Sequence, residues 1–333
     1  MAGDAVMALG GAGRGQLALD DVEVTYTPPP RRLDDDKAGA LGKIRRSIYT
    51  LYRRLSAATM DGYSTSVDPG DVHLGDREDP PAGIARIVRA LVKHLRLPDT
   101  RMTVAIQAMP PGHAGRVTLG AWQRDEYFVE IDSGIVARRR DVGAVLAHEV
   151  THVFLQYHDL RYEDEILTDT AAVYLGVGWP LLNAHRTDYT YSYSYSQRLG
   201  YLSLGEYGYI LGRRAIRFGE DPLPLLTGLQ GQRAYEHGYG RALGEWGVPP
   251  LASATAAGRR RYEKDRDRVR RRLDRGVPRP YDAARGDGYT FSGRSPLKVA
   301  FACPGCGVHV RLPAYTSVEV RCEVCDSLLD CDA

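Results

Sequence analysis

The chain has 333 residues, enough for one large domain or two smaller ones, and its composition, 43% hydrophobic and 26% charged, is that of an ordinary globular protein. A formal net charge of +2 is too small to argue for a polyanionic partner by itself, and no apolar run approaches the ~20 residues that cross a bilayer. The start, MAGDAVMALGGAGRG, has no basic region leading into an uninterrupted apolar segment, so a cytoplasmic protein with no membrane partner is expected.

Residues 1 to 36 are rich in Gly, Asp and Pro and read as a flexible arm. Within it, Gly11-Ala-Gly13-Arg-Gly15 lacks the preceding strand that a phosphate loop needs, and reads as tail. From 37 to 58, Leu41, Ile44, Ile48, Leu51 and Leu55 repeat at helical spacing, which predicts an amphipathic helix. A second helix follows Pro80 and Pro81, with Ile84, Ile87, Leu91 and Leu95 as its buried stripe. Three strands are predicted next, at MTVAIQAM (102 to 109), GRVTLGAW (115 to 122) and EYFVEIDSGIV (126 to 136). Asp141 then reads as the cap of a helix, since its carboxylate can accept from the free amides of a first turn.

That helix carries His148-Glu149-x-x-His152. Residues four apart share a helix face, so both imidazoles can reach one metal ion, while Glu149 lies beside them. Two satisfied histidines on a buried helix are the plain alternative. A further helical pattern covers 163 to 177, and residues 189 to 195 alternate Tyr with Thr or Ser, as a strand or loop with one aromatic face. Helices are predicted at 204 to 218 and 223 to 244. The segment GRRRYEKDRDRVRRRLDRG, 258 to 276, holds ten Arg or Lys against four Asp or Glu, with only Tyr262, Val269 and Leu273 as an apolar seam. Because its acids are interleaved with its arginines, it reads as a solvated spacer, followed by a Pro/Gly-rich linker at 276 to 297.

The HExxH stretch resembles the zincin metallopeptidases, as does the order of helix, strands and motif-bearing helix over about residues 80 to 180. The resemblance implies a catalytic zinc on His148 and His152, a zinc-bound water activated by Glu149, and an extended peptide held by edge pairing on GRVTLGAW or EYFVEID. Three residues compete for the third ligand. His158 sits where metzincins place a histidine, but Leu155 stands where that pattern needs Gly, and no Met follows Met109 to form a methionine turn. Glu165-Ile-Leu-Thr-Asp169 matches the Glu-x-x-x-Asp of gluzincins such as thermolysin, with Asp169 receiving the other ring proton of a ligand histidine. The gap from His152 is shorter than in thermolysin, which implies a tight connection through HDLRY. Glu163 has no acid four residues later. For an oxyanion donor, Tyr189, Tyr191, Tyr193, Tyr195, Tyr201 and His237 are all eligible.

All five cysteines lie from residue 303 onward. Cys303-x-x-Cys306, fifteen residues, then Cys322-x-x-Cys325 is the spacing of a four-thiolate structural zinc site, with VHVRLP and SVEVRC running as a hairpin between the pairs, and it resembles a zinc ribbon. Cys331 falls outside the pattern and reads as a free thiol near a frayed end. The expectation is therefore an α+β protein: a flexible arm (1–36), a zincin-like metallopeptidase domain with a small mixed sheet and a helical second half (37–250), a charged helix and linker (251–297), and a zinc ribbon (298–333). Two zinc ions and a peptide or protein substrate are expected. The rival expectation is a catalytically inactive zincin-like scaffold, binding a protein or nucleic-acid partner through the ribbon and the basic helix.

Overall fold

The computed structural model describes residues 6–9, 22–25, 38–98, 101–119, 126–189, 194–197, 199–275, 288–293 and 295–332. It is a mixed α/β structure. Short strands β1 (Val6–Leu9) and β2 (Val22–Thr25) come first, so two segments of the predicted flexible arm are strands; the rest of the arm, Gly11 to Gly15 included, lies outside the described residues. Helix α1 (Ala38–Leu55) follows, then short α2 (Ala57–Asp61) and α3 (Pro69–Val72), and α4 (Pro80–His94), which is capped by Asp79 accepting from the Ala82 amide. The apolar stripes of α1 and α4 are buried as their periodicity predicts, with Ile44, Ile48, Leu51, Ile84, Ile87 and Leu91 all inaccessible.

Strands β3 (Arg101–Gln107), β4 (Gly115–Leu119) and β5 (Glu126–Asp132) join the first two in one five-stranded sheet, ordered β1-β3-β5-β4-β2. β1, β3 and β5 run parallel, and β4 is antiparallel to both β5 and β2. This corrects the edge-pairing expectation: Gly115–Leu119 of GRVTLGAW and the whole of EYFVEID are interior strands, since β2 pairs along β4 from Val22↔Leu119 to Thr25↔Arg116. The third predicted strand also ends early. Asp132 accepts from the Ile135 amide and caps α5 (Ser133–Ala137).

Helix α6 (Arg139–Tyr157) bears the HExxH residues, and every residue from Asp141 to Leu155 is buried. It is the axis of the domain, packed against α4, α5, α7 (Glu165–Tyr174), α8 (Trp179–Ala184), β4 and β5. A helix with no solvent face must satisfy each polar group internally, so its buried Asp141, His148, Glu149, Thr151 and His152 each need an explanation. Asp141 is not the predicted cap. The lead-in through α5 makes Arg138 the capping position, and Asp141 lies in the first turn with its Oδ2 3.2 Å from Arg138 Nε.

After α8, β6 (Arg186–Tyr189) and β7 (Ser194–Gln197) form an antiparallel hairpin. The Ser203 and Glu206 capping box starts α9 (Leu204–Phe218), and a 3-10 turn leads to α10 (Leu229–Trp246). Gly208, Gly212 and Gly238 let α9 and α10 touch backbone to backbone: a Cβ on Gly208 would lie 2.0 Å from the Ala234 carbonyl oxygen. Helix α11 (Ala256–Asp274) turns Tyr262 and Val269 inward, where Tyr262 meets Tyr289 edge-on at 5.1 Å.

Tyr289 opens β8 (Tyr289–Ser292), which pairs with β9 (Lys298–Ala302), itself paired with β10 (His309–Pro313); β11 (Ser317–Arg321) pairs only with β12 (Leu328–Asp332). VHVRLP and SVEVRC therefore do not pair with each other, as the spacing suggested; each returns along the strand on the far side of its own CxxC turn. Nor is Cys331 near a frayed end. It is fully buried on β12, opposite Val318 and bridged to Leu251, with the Ala252 amide donating to the Asp330 carbonyl at 2.8 Å. Among the described residues, no helix is long and apolar enough to cross a membrane.

Candidate metal centre

Two groups of side chains in this structure could hold a metal ion: His148, His152 and Glu165, and the four cysteines Cys303, Cys306, Cys322 and Cys325. The first is assembled by α6 and α7. Helix α6 ends at His158, Asp159 takes a left-handed φ of 54°, and the Leu160 amide donates back to the Leu155 carbonyl at 2.8 Å. The chain thereby reverses within HDLRY, and Asp164 caps α7 by accepting from the Ile166 and Leu167 amides. Glu165 and Asp169, one turn apart on α7, then both face α6.

The tautomers follow from the partners. His148 Nδ1 lies 2.8 Å from Asp169 Oδ1, and His152 Nδ1 lies 2.7 Å from the Tyr162 carbonyl oxygen, which can only accept. Both rings therefore donate from Nδ1 and, when neutral, present lone pairs at Nε2. Those two Nε2 atoms are 3.0 Å apart, and Glu165 Oε2 lies 3.1 Å from one and 3.5 Å from the other. Among the described residues, Glu165 Oε2 has no hydrogen-bond partner although it is buried. Three acceptors crowding one point repel each other unless a cation, either a proton or a metal ion, sits among them.

The ionisation of the group carries the same message. Burial works against charge on His148, but Asp169, hydrogen-bonded at Nδ1, and the Glu165 carboxylate beside Nε2 outweigh it and raise its pKa to about 10. Glu165 is likewise opposed by burial, yet the two histidines bring it down to about 2. His152 is lowered, by burial first and then by the neighbouring His148. Glu149, fully buried beside them, is pushed up to about 8 by loss of water. Neither Glu149 oxygen has a hydrogen-bond partner among the described residues. Gly115, the first residue of β4, lies against it: a Cβ there would come within 2.9 Å of Glu149 Oε1 and 2.6 Å of Val145 Cγ1.

Behind His148 a second layer fixes Asp169. Its Oδ2 accepts from the Tyr201 amide at 2.6 Å, the Leu202 amide at 3.2 Å and the Tyr207 hydroxyl at 2.7 Å. Gly200, at φ 91°, turns the chain so that these amides point inward; a Cβ there would collide with the Tyr207 hydroxyl. The Tyr201 ring stacks on His148 at 6.0 Å. Of the other proposed oxyanion donors, Tyr189 and Tyr195 lie on β6 and β7, Tyr191 and Tyr193 lie outside the described residues, and His237 is exposed on α10. His158 is not brought to the group; its ring packs on Phe154 at 4.5 Å and Tyr157 at 5.0 Å. Glu163 is exposed. Tyr207, Gly200, Gly115 and the Tyr162 carbonyl went unmarked in the sequence. Only the Ser203 to Glu206 capping box, which starts the helix that carries Tyr207, left a local trace.

The second group joins the turns after β9 and β11. Cys303 Sγ lies 3.6 Å from Cys325 Sγ and Cys306 Sγ 3.7 Å from Cys322 Sγ, and all four are buried and free of disulfides. Two arginines of α9 hold these turns: Arg213 Nη2 donates to the Pro304 and Gly305 carbonyls at 2.6 and 2.9 Å, and Arg217 Nη2 donates to the Cys325 carbonyl at 3.4 Å. Compared with known proteins, the chain matches no family model, no curated protein and no solved structure.

Proposed function

We propose that the chain is a zinc-dependent peptidase of gluzincin type, with His148, His152 and Glu165 as ligands of a catalytic zinc and Glu149 as general base. The convergence of two Nε2 lone pairs and a carboxylate oxygen on one point, beside a buried carboxylate with no partner among the described residues, is the observation that carries this reading. A tetrahedral zinc with bonds of ~2.0–2.1 Å sets its ligand atoms about 3.3 Å apart, and the three separations here are 3.0, 3.1 and 3.5 Å. When bound, zinc supplies a Lewis acid that polarises a peptide carbonyl and acidifies a coordinated water.

The chain's own residues supply the rest. Glu149 takes a proton as a water oxygen adds to the carbonyl carbon, and returns it to the leaving nitrogen as the C–N bond breaks. No donor among the described residues competes for its oxygens. Asp169 holds His148 in the tautomer that leaves Nε2 for the metal, and the Tyr162 carbonyl does the same for His152. A peptide pairing along β4 would have to take the place of Val22–Thr25. The four thiolates close their own coordination sphere, so a second zinc there would be structural: a tetrahedral ion with bonds of ~2.3 Å places sulfurs about 3.8 Å apart.

The decisive experiment is Glu149→Gln in the full-length protein. Both zinc ions should remain by metal analysis, while hydrolysis of a broad peptide library falls by about 10²–10⁴-fold. A wild-type protein that binds two zincs and cleaves no library member would instead favour the inactive scaffold.

A further inference from the structure

Read linearly, α11 mixes acids with arginines; wound as a helix at about 100° per residue, it gathers three exposed acids into one narrow strip flanked by cations. Glu263, Asp267 and Asp274 fall within about 40° of one another, and Arg260, Lys264, Arg271 and Arg275 form a stripe about 60° wide beside them. Those four cations are exposed, and among the described residues none has a carboxylate within 4.0 Å. Asp267 instead lies 3.9 Å from Arg266 Nε, and both Asp267 and Asp274 face Arg270. Beyond the stripe, Arg261, Arg268 and Arg272 extend the basic side, with Arg268 also bound to Asp265 at 3.1 Å.

The opposite face of α11, with Tyr262, Asp265 and Val269, is buried on the ribbon, so the stripe looks outward. From Arg260 to Arg275 it runs ~22 Å. Arg260 with Lys264, and Arg271 with Arg275, are like-charged neighbours one turn apart, and although Glu263, Asp267 and Asp274 stand three or four residues from Arg260, Lys264 and Arg271, none closes to an ion pair, which leaves the cations open to an outside anion. Insertion into a bilayer surface would need apolar side chains next to the cations, and those of α11 are turned into the protein. The stripe has no amide, acidic or apolar side chain for an adenine, cytosine or thymine edge, so guanine is the one base its cations could read.

We propose that α11 binds nucleic acid through the phosphate backbone, without reading sequence. This holds whether or not the metal centre hydrolyses peptides. The test is fluorescence anisotropy of the full-length, zinc-loaded protein with a labelled random-sequence 20-base-pair duplex, over about 50 to 200 mM KCl. Four phosphate contacts predict a plot of log K against log salt with a slope of about −3.6 on duplex, or about −2.8 on the single strand. The variant R260E/K264E/R271E/R275E should lose binding while keeping two zincs and its circular dichroism. Should it fold poorly, the doubles R260Q/K264Q and R271Q/R275Q should each shallow the duplex slope by about 1.8. The proposal is overturned by absent binding at the lowest salt, by a slope that the variants leave unchanged, by a more than tenfold preference between duplex sequences, or by binding to phosphatidylserine vesicles but not to the duplex.

Discussion

Asp169→Asn tests the second layer of the candidate metal centre. The carboxylate is inaccessible and fully occupied: Oδ1 faces His148 Nδ1 at 2.8 Å, and Oδ2 accepts from two backbone amides and the Tyr207 hydroxyl. Asparagine has the same shape but one end becomes a donor. If its amide nitrogen takes the Oδ2 position it confronts the Tyr201 and Leu202 amides, and if it is flipped it confronts His148 Nδ1–H. In the first orientation two buried amides lose their acceptor, which costs ~1–3 kcal/mol each, or ~2–6 kcal/mol of unfolding free energy in the metal-free protein. In either orientation His148 loses the anionic partner that fixes its tautomer and basicity, and zinc affinity at this site should fall ~10–100-fold. Chelator competition in the folded protein reads the affinity, and urea unfolding in EDTA reads the stability. The four-thiolate site, which Asp169 does not touch, serves as a control in the same sample. An affinity within threefold of wild type together with an unchanged unfolding midpoint would refute the argument that Asp169 supports His148.

Three further outcomes are expected. Glu165→Ala should lower bound zinc from two ions per chain to one at matched concentration, while His158→Ala should leave two; the opposite pattern would move the third ligand to His158. Because the metal-free His148 pKa is raised to about 10 while His152 is lowered, a metal entering at neutral pH should displace one proton. Apparent affinity at that site should then rise about tenfold per pH unit, roughly a hundredfold from pH 6.5 to 8.5, and a flat profile would contradict the assignment. The sign for stability is the reverse: in the metal-free chain the His148 proton stabilises fully below the ordinary imidazole range, and that contribution is lost as pH rises through about 10. Arg213→Met should cost ~2 kcal/mol or more in urea unfolding, since it strands the Pro304 and Gly305 carbonyls at ~1–3 kcal/mol each; a loss below ~1 kcal/mol would show that the ribbon does not depend on this contact.

What could be read in the sequence was what repeats locally. The α1 and α4 stripes need only a period of 3.6, and α9 announces itself by Ser203 and Glu206. Glu165 and Asp169 could be singled out because one turn of helix separates them, whatever the rest of the chain does. What could not be read depends on partners distant in sequence. β1 and β2 are four-residue strands in a Gly- and Asp-rich arm, too short to stand out there, and their partners β3 and β4 lie about a hundred residues away. The ribbon strands had the right composition but the wrong assumed partners, because CxxC turns, not the intervening segment, set which strands return on each other. For the charges of α11 the linear order is a poor guide, because neighbours in sequence sit about 100° apart on a helix and interleaving along the chain does not fix the pattern on a face.

Helix α9 explains why the cysteine cluster belongs to the same folded unit as the histidine group. Near its start Tyr207 donates to Asp169, which holds His148; two turns on, Arg213 donates to the first cysteine turn, and one turn further Arg217 reaches the second. Arg213 and Arg45 share Glu245, at 2.9 and 2.6 Å, so the contact also ties in α1. A buried guanidinium can hold backbone carbonyls only while those carbonyls keep their places, and in a segment this short a metal on the four cysteines would keep the turns closed. Removing such a metal would therefore take two carbonyl acceptors from Arg213 in a buried site, and the cost would bear on α9, the helix from which Tyr207 supports the second layer behind His148.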